Sequence, residues 1–276
     1  FSLSRGLGDV YKRQNYDSLN LQSNGMVRVY RYMSITEDEY NSGNTNAYSS
    51  TAAFNGSSGY PIIANNSVAW SADAKFWVQL GDDIYSLDGI TPSSSSNNLG
   101  RTTSINGAGD IIAISSPQNH ENGGNNGRVG VFKYSTPGEL GGDWEIMGNI
   151  LGINIGSSTY SIMMGNNMQL DQSGKIIAIG CDDVVETANI PSSMKVPYDS
   201  NDYTNVAITA VFQYRTVTES EFNAGNTTSF DTNDGTPIIQ AHGGSWNENT
   251  EYWVQLGNYM YIPYNSSGDG TISISS

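Results

Sequence analysis

Short runs in which apolar and polar positions alternate recur along this chain. A period of two marks strands, because successive side chains on a strand point to opposite faces. In VRVYRY (27–32), Val27 and Val29 fall on one face and Tyr30 and Tyr32 on the other. RVGVFKY (128–134) repeats this with Val129 and Val131 against Phe132 and Tyr134, and TAVFQY (209–214) follows the same form. Three Trp-led runs share a second pattern: FWVQLGDDI (76–84), DWEIMGNI (143–150) and YWVQLGNYM (252–260). Two others, TTSINGAGDIIAIS (102–115) and NMQLDQSGKIIAIG (167–180), read as hairpins. In the first, Asn106-Gly107 predicts a two-residue turn with positive φ angles. In the second, Asp171 to Gly174 predicts a different turn doing similar work.

These runs are copies of one unit. Asp110 and Lys175 are 65 residues apart, and Gly81 and Gly148 are 67 apart. Longer intervals come from an insertion present in two copies. SITEDEYNSGNT (34–45) matches TVTESEFNAGNT (216–227), and YPIIANNSVAW (60–70) matches TPIIQAHGGSW (236–246). The middle copy lacks it: Tyr134 and Trp144 are 10 residues apart, where Tyr32 and Trp77 are 45 apart. The unit is therefore four strands in about 65 residues. Apolar groups on both faces of a strand need cover on both sides. Tandem sheets that flank one another supply it, and a two-sheet sandwich with one wet face per sheet fits less well.

The expected fold is all-β, a partial β-propeller of four-stranded antiparallel blades. Two complete blades are expected, with a partial blade at each end. The expected boundaries are a partial blade at 15–89 with its insertion at 34–75, and a complete blade at 90–155. A second complete blade follows at 156–264 with insertions at 181–206 and 216–251, and 265–276 begins a further one.

Charge narrows the function. The 276 residues carry 12 Lys and Arg against 27 Asp and Glu, a net charge of −15. A nucleic-acid surface needs a basic stripe to displace counterions, and docking on anionic lipid needs basic residues too. Neither partner is expected. No apolar run approaches the length of a membrane span, so membrane insertion is not expected. Only 14% of residues are charged, while 17 Tyr and many Asn, Ser, Gly and Thr residues fit strands joined by turns. Cys181 is the single cysteine, which leaves no disulfide framework and no thiolate metal cluster. It reads as a small buried hydrophobe following a strand.

Taken together, the G-x-V-x-V-(Y/F)-x-Y, W-x-Q-L-G-x-x-I and (M/L)-x-x-(D/N)-x-x-G-x-I-I-A-I-G patterns resemble FG-GAP-type, integrin-α-like propeller repeats, over roughly residues 24–275. The resemblance implies a propeller outside the cell or on its surface, acting in adhesion or ligand binding. It implies a surface protein or a glycan as ligand, and the remaining blades of the same chain as structural partners. Many such repeats hold Ca²⁺ in the first hairpin through a D-x-D-x-D-G-like loop. Here the hairpins are NGAGD (106–110) and DQSGK (171–175). One carboxylate in each is too little hard-oxygen charge for a tight Ca²⁺ site, so no cofactor is expected in them, and Ca²⁺ is left to blades beyond this sequence.

The opening residues stand apart. DVYKRQ (9–14) resembles the translated transposase mosaic-end adapter of shotgun DNA libraries, so residues 1–14 are expected to be a non-native leader. They offer no apolar core for a secretory signal. A ring of 4–8 blades needs more sequence than this, so the chain is expected to be a fragment.

Candidate chemistry is sparse. Thr36 and Glu39, repeated by Thr218 and Glu221, have capping-box spacing and predict a short helical turn opening each insertion. His120 and His242 fall in different loops without a spaced partner, so no zinc motif exists. No nucleophile elbow or phosphate-cradling loop is present. Trp77, Trp144 and Trp253 recur once per unit, which indicates packing. Trp70 and Trp246 lie in the insertions, as ligand-stacking residues or as plugs for long loops. Asn55, Asn65, Asn226 and Asn265 begin N-x-S/T sequons, as expected in so polar a composition. The expectation is a non-enzymatic surface scaffold. The alternative is part of a propeller glycosidase or lyase whose catalytic residues lie partly outside this sequence.

Overall fold

The computed structural model describes residues 25–43, 62–63, 69–87, 98–119, 127–152, 163–186, 205–225, 245–257 and 260–264. The leader 1–14, the segment 265–276, His120, His242 and the four sequon asparagines lie outside these residues.

Three antiparallel sheets follow one another along the chain, one per sequence unit. Sheet I pairs β1 (Val27–Met33) with β3 (Phe76–Ile84), and β2 (Ile62–Ile63) extends it beyond β3. Helix α1 (Glu37–Gly43) lies between β1 and β2 in sequence. Sheet II is a meander of β4 (Thr103–Ile105), β5 (Ile111–Ser116), β6 (Arg128–Tyr134) and β7 (Trp144–Ile146). Sheet III orders β8 (Met164–Leu170), β9 (Ile176–Glu186), β10 (Asn205–Thr216) and β11 (Glu251–Gln255). Helix α2 (Glu219–Gly225) lies between β10 and β11, and β12 (Met260–Tyr264) pairs with the first half of β10. The described chain is all-β apart from the two short helices.

The alternating pattern places two cores around the middle sheet. Ile112, Ile114, Phe132, Tyr134 and Trp144 pack against Val27, Val29, Leu80 and Ile84 of sheet I. The intervening residues Ile111, Ala113, Val129 and Val131 pack against Met164, Met168, Ile177, Phe212 and Trp253 of sheet III. Each Val, Leu, Ile, Phe or Met side chain among them contributes about 1.5–3 kcal/mol when fully buried. Tyr30, Phe132 and Phe212 lie in three separate sheets, and all three are buried.

Every Trp strand is interrupted at the same point. In sheet I the register passes from Val29↔Leu80 to Val27↔Ile84. In sheet II it passes from Phe132↔Ile146 to an isolated bridge at Val129↔Leu151. In sheet III it passes from Phe212↔Gln255 on β11 to Thr209↔Met260 on β12. The extra residues begin with Gly81, Gly148 and Gly257, whose φ angles are 65°, 73° and 66°. A bulge opening on a left-handed glycine kinks the strand there.

The hairpins differ from the sequence expectation. Neither Asn106 nor Gly107 has a positive φ; Gly109 (71°) and Gly174 (75°) do. The two turns are the same turn. Asn106 N–H donates to the Ile111 carbonyl at 2.9 Å, and Asp171 N–H to the Ile176 carbonyl at 2.8 Å. Gly109 and Gly174 each donate back to the residue opening the turn. The Asn-Gly pair misleads because Asn106 acts through its side chain: Oδ1 accepts from the Asp110 and Ile111 amides at 3.0 Å each. Asp171 does the same for Ile176 at 2.8 Å. The strands β9 and β10 also continue into the segment 181–206 expected as an insertion, pairing as far as Asn205↔Glu186.

Candidate functional site

One inter-sheet joint occurs twice. Trp144 of sheet II donates its indole N–H to the Leu80 carbonyl of sheet I at 2.7 Å. Trp253 of sheet III donates to the Met147 carbonyl of sheet II at 2.7 Å. Leu80 and Met147 hold the same place in their units, just before the bulge glycine. A Cβ on Gly81 would lie 2.8 Å from Trp144 Cδ1, and one on Gly148 2.9 Å from Trp253 Cδ1. The absent side chain is what lets the indole reach the carbonyl. Each indole is steadied from its own sheet by a tyrosine, with ring centroids 5.2 Å apart for Tyr134–Trp144 and 5.1 Å for Tyr214–Trp253. Hairpin contacts add to the joints: Arg31 of sheet I donates to the Ala108 and Gly109 carbonyls, and Gly107 N–H donates to the Gln172 carbonyl.

The insertions begin as the sequence predicts. Thr36 N–H donates to Glu39 Oε2 at 2.7 Å, and Glu39 N–H donates to Thr36 Oγ1 at 3.2 Å. Thr218 and Glu221 repeat the exchange at 2.8 and 3.2 Å. Arg215 also donates to Glu221 at 2.9 Å. That hydrogen bond, with those from Thr218, lowers the Glu221 carboxyl from its ordinary 4.5 to about 2.

Trp70 and Trp246 occupy matching places on different sheets. Trp70 is half-buried against Ile35, Phe76 and Val78, and donates to the Ile35 carbonyl at 3.1 Å. Trp246 is half-buried against Val217, Phe222, Tyr252 and Val254, and donates to the Val217 carbonyl at 2.9 Å. They belong to separate clusters. Each ring plugs its own insertion onto the Trp strand and keeps an exposed portion. A sequence signal accompanies the plug. Phe76 and Val78, like Tyr252 and Val254, flank the strand Trp where an insertion exists; the equivalents in sheet II are Asp143 and Glu145.

Sheet I carries a buried polar cluster that the sequence reading did not single out. Arg28 grips Asp83 with two hydrogen bonds, Nε to Oδ1 at 2.7 Å and Nη2 to Oδ2 at 2.8 Å. Gln79 and the Tyr85 hydroxyl donate to the same carboxylate at 3.0 and 3.1 Å. Burial pulls the Arg28 pKa down, but the hydrogen bond and charge of Asp83 outweigh it and hold the group above its ordinary value. Gly130 and Ala210 stand where Arg28 stands in the other units, and that contrast was the available signal.

In the hairpins the side-chain oxygens already serve the backbone. Asp171 Oδ2 accepts from the Ser173 hydroxyl at 2.6 Å. Burial acts to raise the Asp171 pKa, but hydrogen bonds from Ser173 and Ile176 lower it overall. Among the described residues, no group of three His, Cys, Asp or Glu side chains is placed to hold a metal ion, and no helix is long and apolar enough to cross a membrane. Comparison of the chain with protein-family models, curated proteins and solved structures found no match.

Proposed function

We propose that the chain is a stretch of β-propeller from a secreted or surface-displayed repeat protein, acting as a non-enzymatic scaffold for adhesion or for binding a glycan or protein ligand. The observation that carries the reading is the joint repeated in one direction, from sheet I to II and from II to III. A contact repeated unchanged turns each unit by the same step, and such steps close into a ring or run on as a helix. The FG-GAP-like strand patterns favour the ring. The two insertions stand at matching places on their sheets and carry Trp70 and Trp246, so they are the proposed contact surface. A partly exposed indole suits stacking on a sugar ring.

A glycan array tests this on the whole chain beside a variant in which 34–75 and 216–251 are each replaced by the short link Thr136–Gly142. The variant also carries Phe76→Asp, Val78→Glu, Tyr252→Asp and Val254→Glu, since those residues lose their cover. Binding by the parent that the variant loses supports the insertions as the contact surface. Binding retained by the variant rejects it. Hydrolysis of a polysaccharide panel by the parent would reject the non-enzymatic reading.

A further inference from the structure

The repeated joint has two halves, and the described chain keeps one of each uncovered. The first half is the carbonyl before the bulge glycine together with the side chain beside it. Leu80 and Met147, each covered by the next sheet, are 1% and 7% exposed; Leu256, the third copy, is 39% exposed. Gly81 and Gly148 have an indole in close approach, whereas beyond its two chain neighbours no atom of the described residues lies within 4 Å of a Cβ built on Gly257. The second half is the Trp–Tyr pair. Tyr32 and Trp77 pack at 5.3 Å, like their counterparts in the other sheets. Tyr134 is fully buried, yet Tyr32 is 38% exposed. Among the described residues nothing accepts a hydrogen bond from the Trp77 indole.

We propose that these halves dock on one another between two copies of this chain, head to tail. Trp77 of one copy donates to the Leu256 carbonyl of the other, with its ring over Gly257. Both internal joints provide the template: the same indole, the same carbonyl and a glycine at the same place. The contact is heterologous, so copies close into a ring if the turn allows and otherwise extend as a filament. The inference stands on the two observed joints and holds whether or not the sheets turn about a propeller axis.

Analytical ultracentrifugation of the full chain tests it. Wild type should sediment as larger species with rising concentration. Trp77→Ala removes the indole and Leu256→Glu places a charge in its receiving site. Each variant alone should associate about thirtyfold more weakly, the loss typical of a central interface tryptophan. Mixing the two should restore a dimer, because Trp77→Ala retains an intact Leu256 site and Leu256→Glu retains an intact indole. Near-ultraviolet circular dichroism establishes that both remain folded; should Trp77→Ala not fold, Leu256→Glu alone decides. A wild type that stays monomeric at its highest soluble concentration overturns the proposal. So does association that Leu256→Glu leaves unchanged, or a mixture that restores nothing. The glycan array can fail without touching this result.

Discussion

Gly148 and Gly257 have nearly the same backbone and different surroundings. Their φ angles, 73° and 66°, belong to the left-handed region that L side chains rarely adopt. Alanine at Gly257 meets only that backbone cost, about 1–3 kcal/mol. Alanine at Gly148 meets it too, and its methyl group would lie 2.9 Å from both Trp253 Cδ1 and Tyr214 Cε2. The indole cannot retreat without losing its bond to the Met147 carbonyl. Overpacking of this kind adds about 1–3 kcal/mol. Urea midpoints in dilute protein should therefore fall further for Gly148→Ala than for Gly257→Ala, and equal losses would mean that the indole is not seated as described. The Arg28–Asp83 pair gives a second comparison. Asp83→Asn leaves a buried guanidinium without its counter-charge, and breaking such a pair costs about 3–5 kcal/mol. Gly130→Ala, at the equivalent place in sheet II, removes no charge; its Cβ would lie 3.0 Å from the Leu87 and Phe132 side chains. It should cost less, as read by the same midpoints.

The elements were legible wherever one period governed them. Both capping boxes, the Trp strands and the hairpin positions follow from local spacing, and α2 yields a pH prediction from its cap. Glu221 has a folded pKa of about 2 against an ordinary 4.5. A depressed carboxyl contributes stability above its unfolded value and loses it as pH falls through the folded one. The α2 cap should therefore weaken between pH 4.5 and about 2. The Glu221 side-chain carboxyl resonance should show a midpoint near 2, which Arg215→Gln should move upward; a midpoint near 4.5 in wild type would mean that Arg215 does not hold it in solution. What spacing did not convey was side-chain work inside a turn. Asn106-Gly107 carried a strong dipeptide signal, yet Asn106 organises the loop with its amide and the left-handed residue is Gly109. The pairing of β2 with β3, and the run of β9 to Glu186, depend on partners distant in sequence. The Arg28–Asp83 pair needed the bulge to bring its members together.

At the scale of the whole molecule, alternation on β6 was enough to predict that sheet II has two buried faces, since neither face offers a polar set for water. It could not say how the sheets lock, because the acceptors are backbone carbonyls and carry no sequence signal beyond the glycine that follows them. Stacked sheets that touch only their neighbours have stabilities set largely by local interfaces, and Cys181 lets one interface be watched. Its thiol is buried in the core between sheets II and III. Trp253 belongs to that core and Trp144 to the one between sheets I and II. Truncating either indole to alanine removes about 3–5 kcal/mol of packing. If the joints open separately, Trp253→Ala should speed labelling of Cys181 by a thiol reagent by roughly a hundredfold to a few thousandfold, while Trp144→Ala leaves the rate near that of wild type. Equal acceleration by both would mean that the three sheets open as one cooperative body, since a loss in the core between sheets I and II would then reach a thiol buried in the core between II and III.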